Sequence, residues 1–418
     1  YGFFPSGSVA WRISEEGFME PVKAVINNLK LRTSYGFTGN TEIGVYESLA
    51  TLGSNSWTIG NQLVSGFYPN RIPNPDLKWE KTGQFDIGFD LGLFNNRLRL
   101  TADYYYKKTT DLLYNVAIPS ASGYDSMLKN IGSVQNKGYE LSIESDNLSG
   151  AFSWTTAFNI SFNRNKVLEL GGETYKDVGT YDDHLKTSDI RRLIVGQPIG
   201  VFYGYRFDGI FQNEAECAQQ TSSPSPIGVG LRRYKDLNGD GKIDATNDRE
   251  ILGDANPKFF GGMTNTFAYK GFELNVFLQY SYGNKIFNYN AMELESPTGG
   301  QNVYQDLVNR WTPTNPSNEY QKATTNRNNI VSDRFIEDGS FLKLKTVSLS
   351  YSFPKLNWKH IGGLRLYVTG QNLLTWTKYR GYDPEVSYRG ASTLEAGEDF
   401  GGYPQARTFM FGIKLDIK

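Results

Sequence analysis

The sequence predicts an all-β fold, a transmembrane antiparallel up-and-down β-barrel with long extracellular loops, and three observations carry that reading. Apolar and polar residues alternate strictly over several segments of about ten residues. These segments are joined in turn by short and long connections. No apolar run approaches the roughly 18 residues a membrane helix needs, so a membrane-spanning chain of this kind must satisfy its backbone in a barrel.

Composition agrees. The 418 residues include 27 Tyr, 26 Phe, 7 Trp and 44 Gly, a mixture suited to strands, turns and interfacial aromatic girdles. The 43 basic and 44 acidic residues balance, so nothing argues for nucleic acid as a partner. Cys217 is the single cysteine, and His184 and His360 are the two histidines. A disulfide framework is excluded, and a His- or Cys-based metal site or a His-based triad has almost no raw material. The chain opens in mid-pattern at Phe3-Phe4-Pro5-Ser6-Gly7, so its true N-terminus is expected upstream.

The elements follow in order. Weak alternation predicts strands at 7–13 and 29–36. Phe85, Ile87, Phe89, Leu91 and Leu93 share one face, with Gln84, Asp86, Gly88, Asp90 and Gly92 on the other. After a turn at Asn95-Asn96, Leu98, Leu100, Ala102, Tyr104 and Tyr106 resume the apolar face. A weaker strand at 136–145 precedes Phe152, Trp154, Phe158, Ile160 and Phe162. A strand at 259–269 precedes Phe272, Leu274, Val276, Leu278 and Tyr280. In 341–353 the phase slips between Leu344 and Val347, which predicts a bulge near Lys345 and Thr346. Strands at 363–370 and over Phe409, Phe411, Ile413, Leu415 and Ile417 complete eleven.

Short links are predicted at 94–97, 146–151, 269–271 and 354–362, and a moderate one at 14–28 with a short helical turn. Long connections are predicted at 37–80, 108–135, 163–258, 283–340 and 371–405. Short periplasmic turns and long extracellular loops produce this rhythm, which puts the C-terminus on the periplasmic side. A soluble sandwich would also alternate, but loops of this length are unusual in compact soluble domains. Single-chain barrels have even strand counts, so eleven strands fit the C-terminal half of a barrel of about 22, a size associated with plugged transporters. The first half and a plug would then lie N-terminal to residues 1–418.

One motif suggests a metal. Asp236, Asn238, Asp240, Lys242 and Asp244 fall at the spacing of an EF-hand-type loop, with Gly241 at the sharp turn. The terminal position holds Asn247 where a bidentate Glu is usual, and Asp248 follows it. The expectation is a weak Ca²⁺ site on Asp236, Asn238, Asp240, Lys242, Asp244 and Asp248; the alternative is a metal-free Asx- and Gly-rich turn. Catalysis is not expected: Asp182-Asp183, Glu140 with Glu144, and His184 place no acid and base together. Aromatics crowd the long connections, and Trp57, Tyr181, Tyr304, Trp311 and Tyr382 are the candidate cargo contacts, with loop packing as the alternative role for each.

An ordered set of motifs resembles the SusC/RagA group of TonB-dependent outer-membrane transporters. It comprises Phe4-Pro-Ser-Gly-Ser-Val-Ala-Trp11, Leu29-Lys-Leu-Arg-Thr-Ser-Tyr-Gly36, Asn74-Pro-Asp-Leu-Lys-Trp79, Asn136-Lys-Gly-Tyr-Glu140, Tyr234-Lys-Asp-Leu-Asn-Gly-Asp-Gly-Lys-Ile-Asp244, Leu366-Tyr-Val-Thr-Gly-Gln-Asn-Leu-Leu374, Tyr379-Arg-Gly-Tyr-Asp-Pro-Glu385 and Tyr403-Pro-Gln-Ala-Arg-Thr408. The resemblance implies a plugged barrel in outer-membrane lipid, energised through TonB, with a SusD-like surface lipoprotein as a lid over its mouth. It implies import of an oligosaccharide or peptide. Lys418 follows Ile417 where such barrels often end in an aromatic. A non-transporting structural or adhesive barrel is the rival reading, separable by whether a plug and TonB box lie upstream.

Overall fold

A computed structural model describes residues 2–40, 46–117, 124, 126–179, 190–296, 302–325, 329–353, 361–390, 392 and 394–417. Eleven strands form one continuous antiparallel sheet in chain order: β1 (Ser6–Arg12), β2 (Ile26–Asn40), β3 (Glu80–Leu93), β4 (Leu98–Ala117), β5 (Ser126–Leu148), β6 (Phe152–Leu170), β7 (Phe259–Tyr269), β8 (Phe272–Tyr282), β9 (Phe341–Ser352), β10 (Ile361–Thr377) and β11 (Thr408–Ile417). Each expected strand is present. Among the described residues, β1 and β11 remain the two edges of the sheet.

Register explains why the alternation was so regular. Leu31 pairs Phe89, Phe89 pairs Ala102, Ala102 pairs Leu141, and Leu141 pairs Ile160. Farther along, Phe267 pairs Leu274, Leu274 pairs Leu349, Leu349 pairs Val368, and Val368 pairs Phe411. Directly paired residues point to the same face, so one apolar face runs unbroken across the sheet. The predicted bulge falls at Lys345: Leu344 pairs Leu278 while Thr346 pairs Phe277. The inserted residue returns Val347 and Leu349 to the apolar face.

The short links are tight. Tyr269 pairs Phe272 across Lys270 (φ 46°) and Gly271 (φ 87°), two consecutive left-handed residues as a two-residue hairpin with right-twisted strands requires. Phe94, Asn95 and Asn96 all have positive φ in the β3–β4 turn, where Asn27 Oδ1 accepts from the N–H of Asn96. The 14–28 link carries 3₁₀ turns at Ile13–Glu15 and Gly17–Val22. The 354–360 part of the last short link lies outside the described residues.

The long connections are more structured than their sequence suggests. The expected loop 108–135 is mostly strand, because β4 and β5 run for 20 and 23 residues. A tilted strand crosses a membrane in about 9–11 residues, so this ribbon continues beyond the bilayer, where no lipid demands alternation and the sequence pattern fades. The other long connections fold into small sheets of their own. Thr51–Ile59 and Gln62–Arg71 form a hairpin. Tyr175–Val178, Arg191–Ile194, Val201–Tyr205 and Arg249–Asp254 form a four-stranded sheet. Lys285–Asn288 pairs antiparallel to Ile336–Asp338 and parallel to Glu398–Asp399, joining two long connections.

Candidate functional site at the end of the long connections

These connections share a packed core. Ile190, Phe202, Phe287, Tyr289, Ala291, Met292, Val331 and Phe335 are buried together, with Leu252, Tyr304, Ile336 and Phe400 packed around them. The helix Tyr289–Leu294 starts at Asn288, whose Oδ1 accepts from the Ala291 N–H at 2.9 Å.

Glu295 sits at the C-cap of that helix, where the macrodipole disfavours an anion. Three guanidiniums offset this. Arg334 Nε lies 2.7 Å, Arg380 Nη1 3.4 Å and Arg232 Nη2 3.7 Å from its carboxylate, which is 1% exposed. The three arginines come from three different long connections, so one carboxylate ties the whole body together. Burial pushes the Arg232 guanidinium below its usual range.

A second tie joins Arg191 to the last connection. Its Nε donates to Glu398 Oε1 at 3.0 Å, Nη1 donates to the Gly200 carbonyl at 2.8 Å, and Nη2 donates to the Ala396 carbonyl. Burial lowers Arg191 and raises Glu398, against their mutual attraction. A third tie anchors the last connection to the strand wall. Lys343 Nζ of β9 lies 2.6 Å from Asp383 and 2.5 Å from Glu385, and Lys345 lies 2.9 Å from Glu385. Burial raises both carboxyls, but hydrogen bonds from these ammonium groups outweigh it and hold them below the usual carboxylate range.

Four of the five candidate aromatics lie among the described residues, each in its own surroundings. Trp57 is 60% exposed on the 51–71 hairpin, where its ring covers Gly66, and Tyr382 is 81% exposed. Tyr304 packs against the buried core. Trp311 lies over Gly230 and donates from Nε1 to Gln212 Oε1 at 3.1 Å. Tyr181 lies outside the described residues, as do Asp182, Asp183, His184, His360 and Lys418.

The 236–248 loop closes on itself. Asp236 accepts from the N–H groups of Gly239 (2.6 Å) and Gly241 (2.7 Å), and Asp240 accepts from Lys242 N–H. Asn238 Nδ2 donates to Asp240 Oδ2 at 3.1 Å. Asp248 is fully buried and accepts from Leu237 N–H and Asp244 N–H, each at 2.8 Å. The N–H groups of Asn247 and Thr246 hold the Asp244 carboxyl below its usual range. Among the described residues no three His, Cys, Asp or Glu side chains converge as a metal cluster.

Sequence reasoning missed the ion-pair ties. Glu295 and its arginines lie far apart in the chain, and a charged residue in a long connection reads as solvated until packing buries it.

An eleven-stranded antiparallel meander with one apolar face and one polar face, bearing long structured connections, has the plan of an outer-membrane β-barrel wall. The family described as TonB dependent receptor-like, beta-barrel matches residues 1–215, and the chain belongs to it. TonB-dependent receptor P3 of Formosa agariphila is 41% identical over 99% of this chain and 42% of its own length. TonB-dependent receptor SusC of Bacteroides thetaiotaomicron is 30% identical over 100% of this chain and 40% of its own. The structure of the RagAB peptide transporter superposes with a TM-score of 0.80 at 27% identity, covering 99% of this chain and 43% of that one. The chain therefore spans less than half the length of the relatives it matches.

Proposed function

We propose that this chain is the C-terminal half of a TonB-dependent barrel that imports an oligosaccharide or peptide across the outer membrane. In this reading the long connections face the cell exterior and the C-terminus lies in the periplasm. A SusD-like lipoprotein seats on the mouth, and TonB acts through the part of the protein upstream of this chain. The observation that carries the reading is the single body made by the long connections at one end of the sheet. A body cross-linked by Glu295 and Arg191 offers one ordered surface on which a lid can seat and cargo can be selected. Likeness to the RagAB peptide transporter supports the peptide class, and the oligosaccharide class is what the motif resemblance to the SusC/RagA group implies.

The test uses the full-length protein in its own outer membrane. Residues 173–253 are replaced by a short linker, and barrel folding is followed by heat-modifiable electrophoretic mobility. Co-purification of a surface lipoprotein and uptake of the native nutrient are measured alongside. A folded barrel that has lost uptake or its lipoprotein is the expected result; unchanged uptake refutes the import role of this body.

We also propose that the 236–248 loop binds Ca²⁺ weakly. A carboxylate accepts about four hydrogen bonds, so Asp236, with one N–H on each oxygen, keeps lone pairs for a cation. Calorimetry on chelated protein tests this, and no heat at millimolar Ca²⁺ would sink it.

A further inference from the structure

A cavity of about 500 Å³ opens where β4, β5 and β6 rise past the membrane toward the four-stranded sheet of the 171–258 connection. This falls inside the roughly 300–1,000 Å³ typical of small-molecule sites. Its wall is aliphatic: Leu112 and Leu113 from β4, Val134 from β5, Val167 from β6, and Leu193 and Ile199 from the connection. Asn136 and Asn163 bring amide groups to it from the polar face. At one side Tyr114 donates to Glu173 at 3.2 Å, with Lys176 Nζ 3.8 Å from the centre of its ring.

Three consecutive residues, Leu112, Leu113 and Tyr114, line this one cavity. A regular strand cannot do that, because successive side chains point to opposite faces. The register of β4 against β5 shifts between Thr109 and Leu112 and again between Leu112 and Leu113. Asp111 between them is left-handed, with φ 59°, a conformation disfavoured for any residue with a Cβ. The irregularity is held in place. Asn130 Nδ2 donates to the Asp111 carbonyl at 2.8 Å, and Lys78 Nζ lies 3.0 Å from Asp111 Oδ1. Opposite Leu112 stands Gly132, where a Cβ would come within 3.0 Å of Leu112 Cβ. Bulges at barrel rims re-aim side chains, and this one turns two adjacent leucines into the same space.

We propose that this cavity is a cargo subsite that takes the apolar side chain of a peptide. The proposal rests on the import reading and narrows it. Sugar rings are held by flat aromatic faces, whereas this wall is chiefly branched aliphatic, with Tyr114 its one aromatic and Asn136, Asn163, Asn165, Asn256 and Glu169 as its polar margin.

The test uses the full-length receptor as isolated from outer membranes. The probes are fluorescein-labelled Ser-Leu-Ser-Leu-Ser, the matching all-serine peptide, and maltopentaose as a competitor. The leucine peptide is expected to bind at least about tenfold more tightly than the serine peptide, the order that one buried apolar side chain contributes. Val134→Trp, which fills the cavity, and Leu113→Arg, which charges it, should each remove that preference while heat-modifiable mobility stays that of a folded barrel. As a second readout, Leu113→Cys in the same receptor should react with a maleimide, and the leucine peptide should protect it. Three results overturn the proposal: no maleimide reaction, because another part of the protein then fills the space; protection by maltopentaose and not by peptide; or equal peptide binding by wild type and Val134→Trp. None of them touches the import reading, whose separate readout is nutrient uptake by the full-length receptor.

Discussion

The strand wall and the body of long connections are built on opposite plans. In the wall, Phe85, Ile87, Phe89, Phe411 and Ile413 are exposed to the surroundings. Among the described residues, all three clusters of buried hydrophobics draw on the connections; the wall contributes buried Val167 and Leu170 of β6, with Tyr114 of β4 packed against them. The wall turns its apolar side outward and its charges inward, as in Arg32 with Asp90 and Asp103. The connections bury their aromatics and then bury charges among them. The contrast teaches which solvent each region answers to. Lipid accepts apolar side chains but no unpaired backbone group, so the wall is held by its hydrogen-bond ladders. The connections meet water and need an ordinary core to offset the entropy of ordering long segments.

The strongest way to break this contrast is at Glu295. Glu295→Gln leaves Arg232 and Arg334 buried beside a neutral amide, a loss on the order of 3–5 kcal/mol for a broken buried ion pair. The connections should become sensitive to limited proteolysis while the barrel keeps its heat-modifiable mobility; a barrel that unfolds with them would show that the two regions are one cooperative unit. Next comes Val276→Arg, in the middle of β8 on the apolar face, expected to cost about 2–4 kcal/mol and to reduce the folded fraction in membranes. Its neighbour Asn275→Arg, on the polar face, should be close to neutral. Equal effects at the two positions would remove the lipid-facing assignment. Gly271→Ala forces a Cβ into a left-handed position, with the Ser352 carbonyl 2.7 Å away, and should cost about 1–2 kcal/mol in urea unfolding.

The smallest effect concerns the seam between the regions. Asp383 and Glu385 have folded-state values depressed by Lys343 and Lys345. Their contribution is therefore complete above the unfolded carboxyl values near about 4 and is lost as pH falls below them. Hydrogen-exchange protection of residues 379–390, corrected for the intrinsic rate, should be flat from neutral pH down to about 5 and fall below about 4. Lys343→Met should shrink that step to what Lys345 alone holds at Glu385, and an unchanged step would move the anchor elsewhere.

The eleven strands, their order, the tight turns and the bulge at Lys345 were all legible in the chain. Each depends on a local rule: lipid on one side imposes a period of two, and left-handed turn positions favour Gly and Asn. The register of the apolar face follows from the same rule, since a slip of one residue would turn Phe89 or Leu349 inward. The full length of β4 and β5 was not legible, because above the membrane the pattern that marks a strand is no longer required. Nor was the gathering of Glu295, Arg232, Arg334 and Arg380, or the cavity to which Leu112, Leu113, Val134, Val167 and Leu193 all contribute. Those depend on which distant segments meet, and tertiary packing alone sets that: local periodicity determined the wall, and long-range burial decided the site.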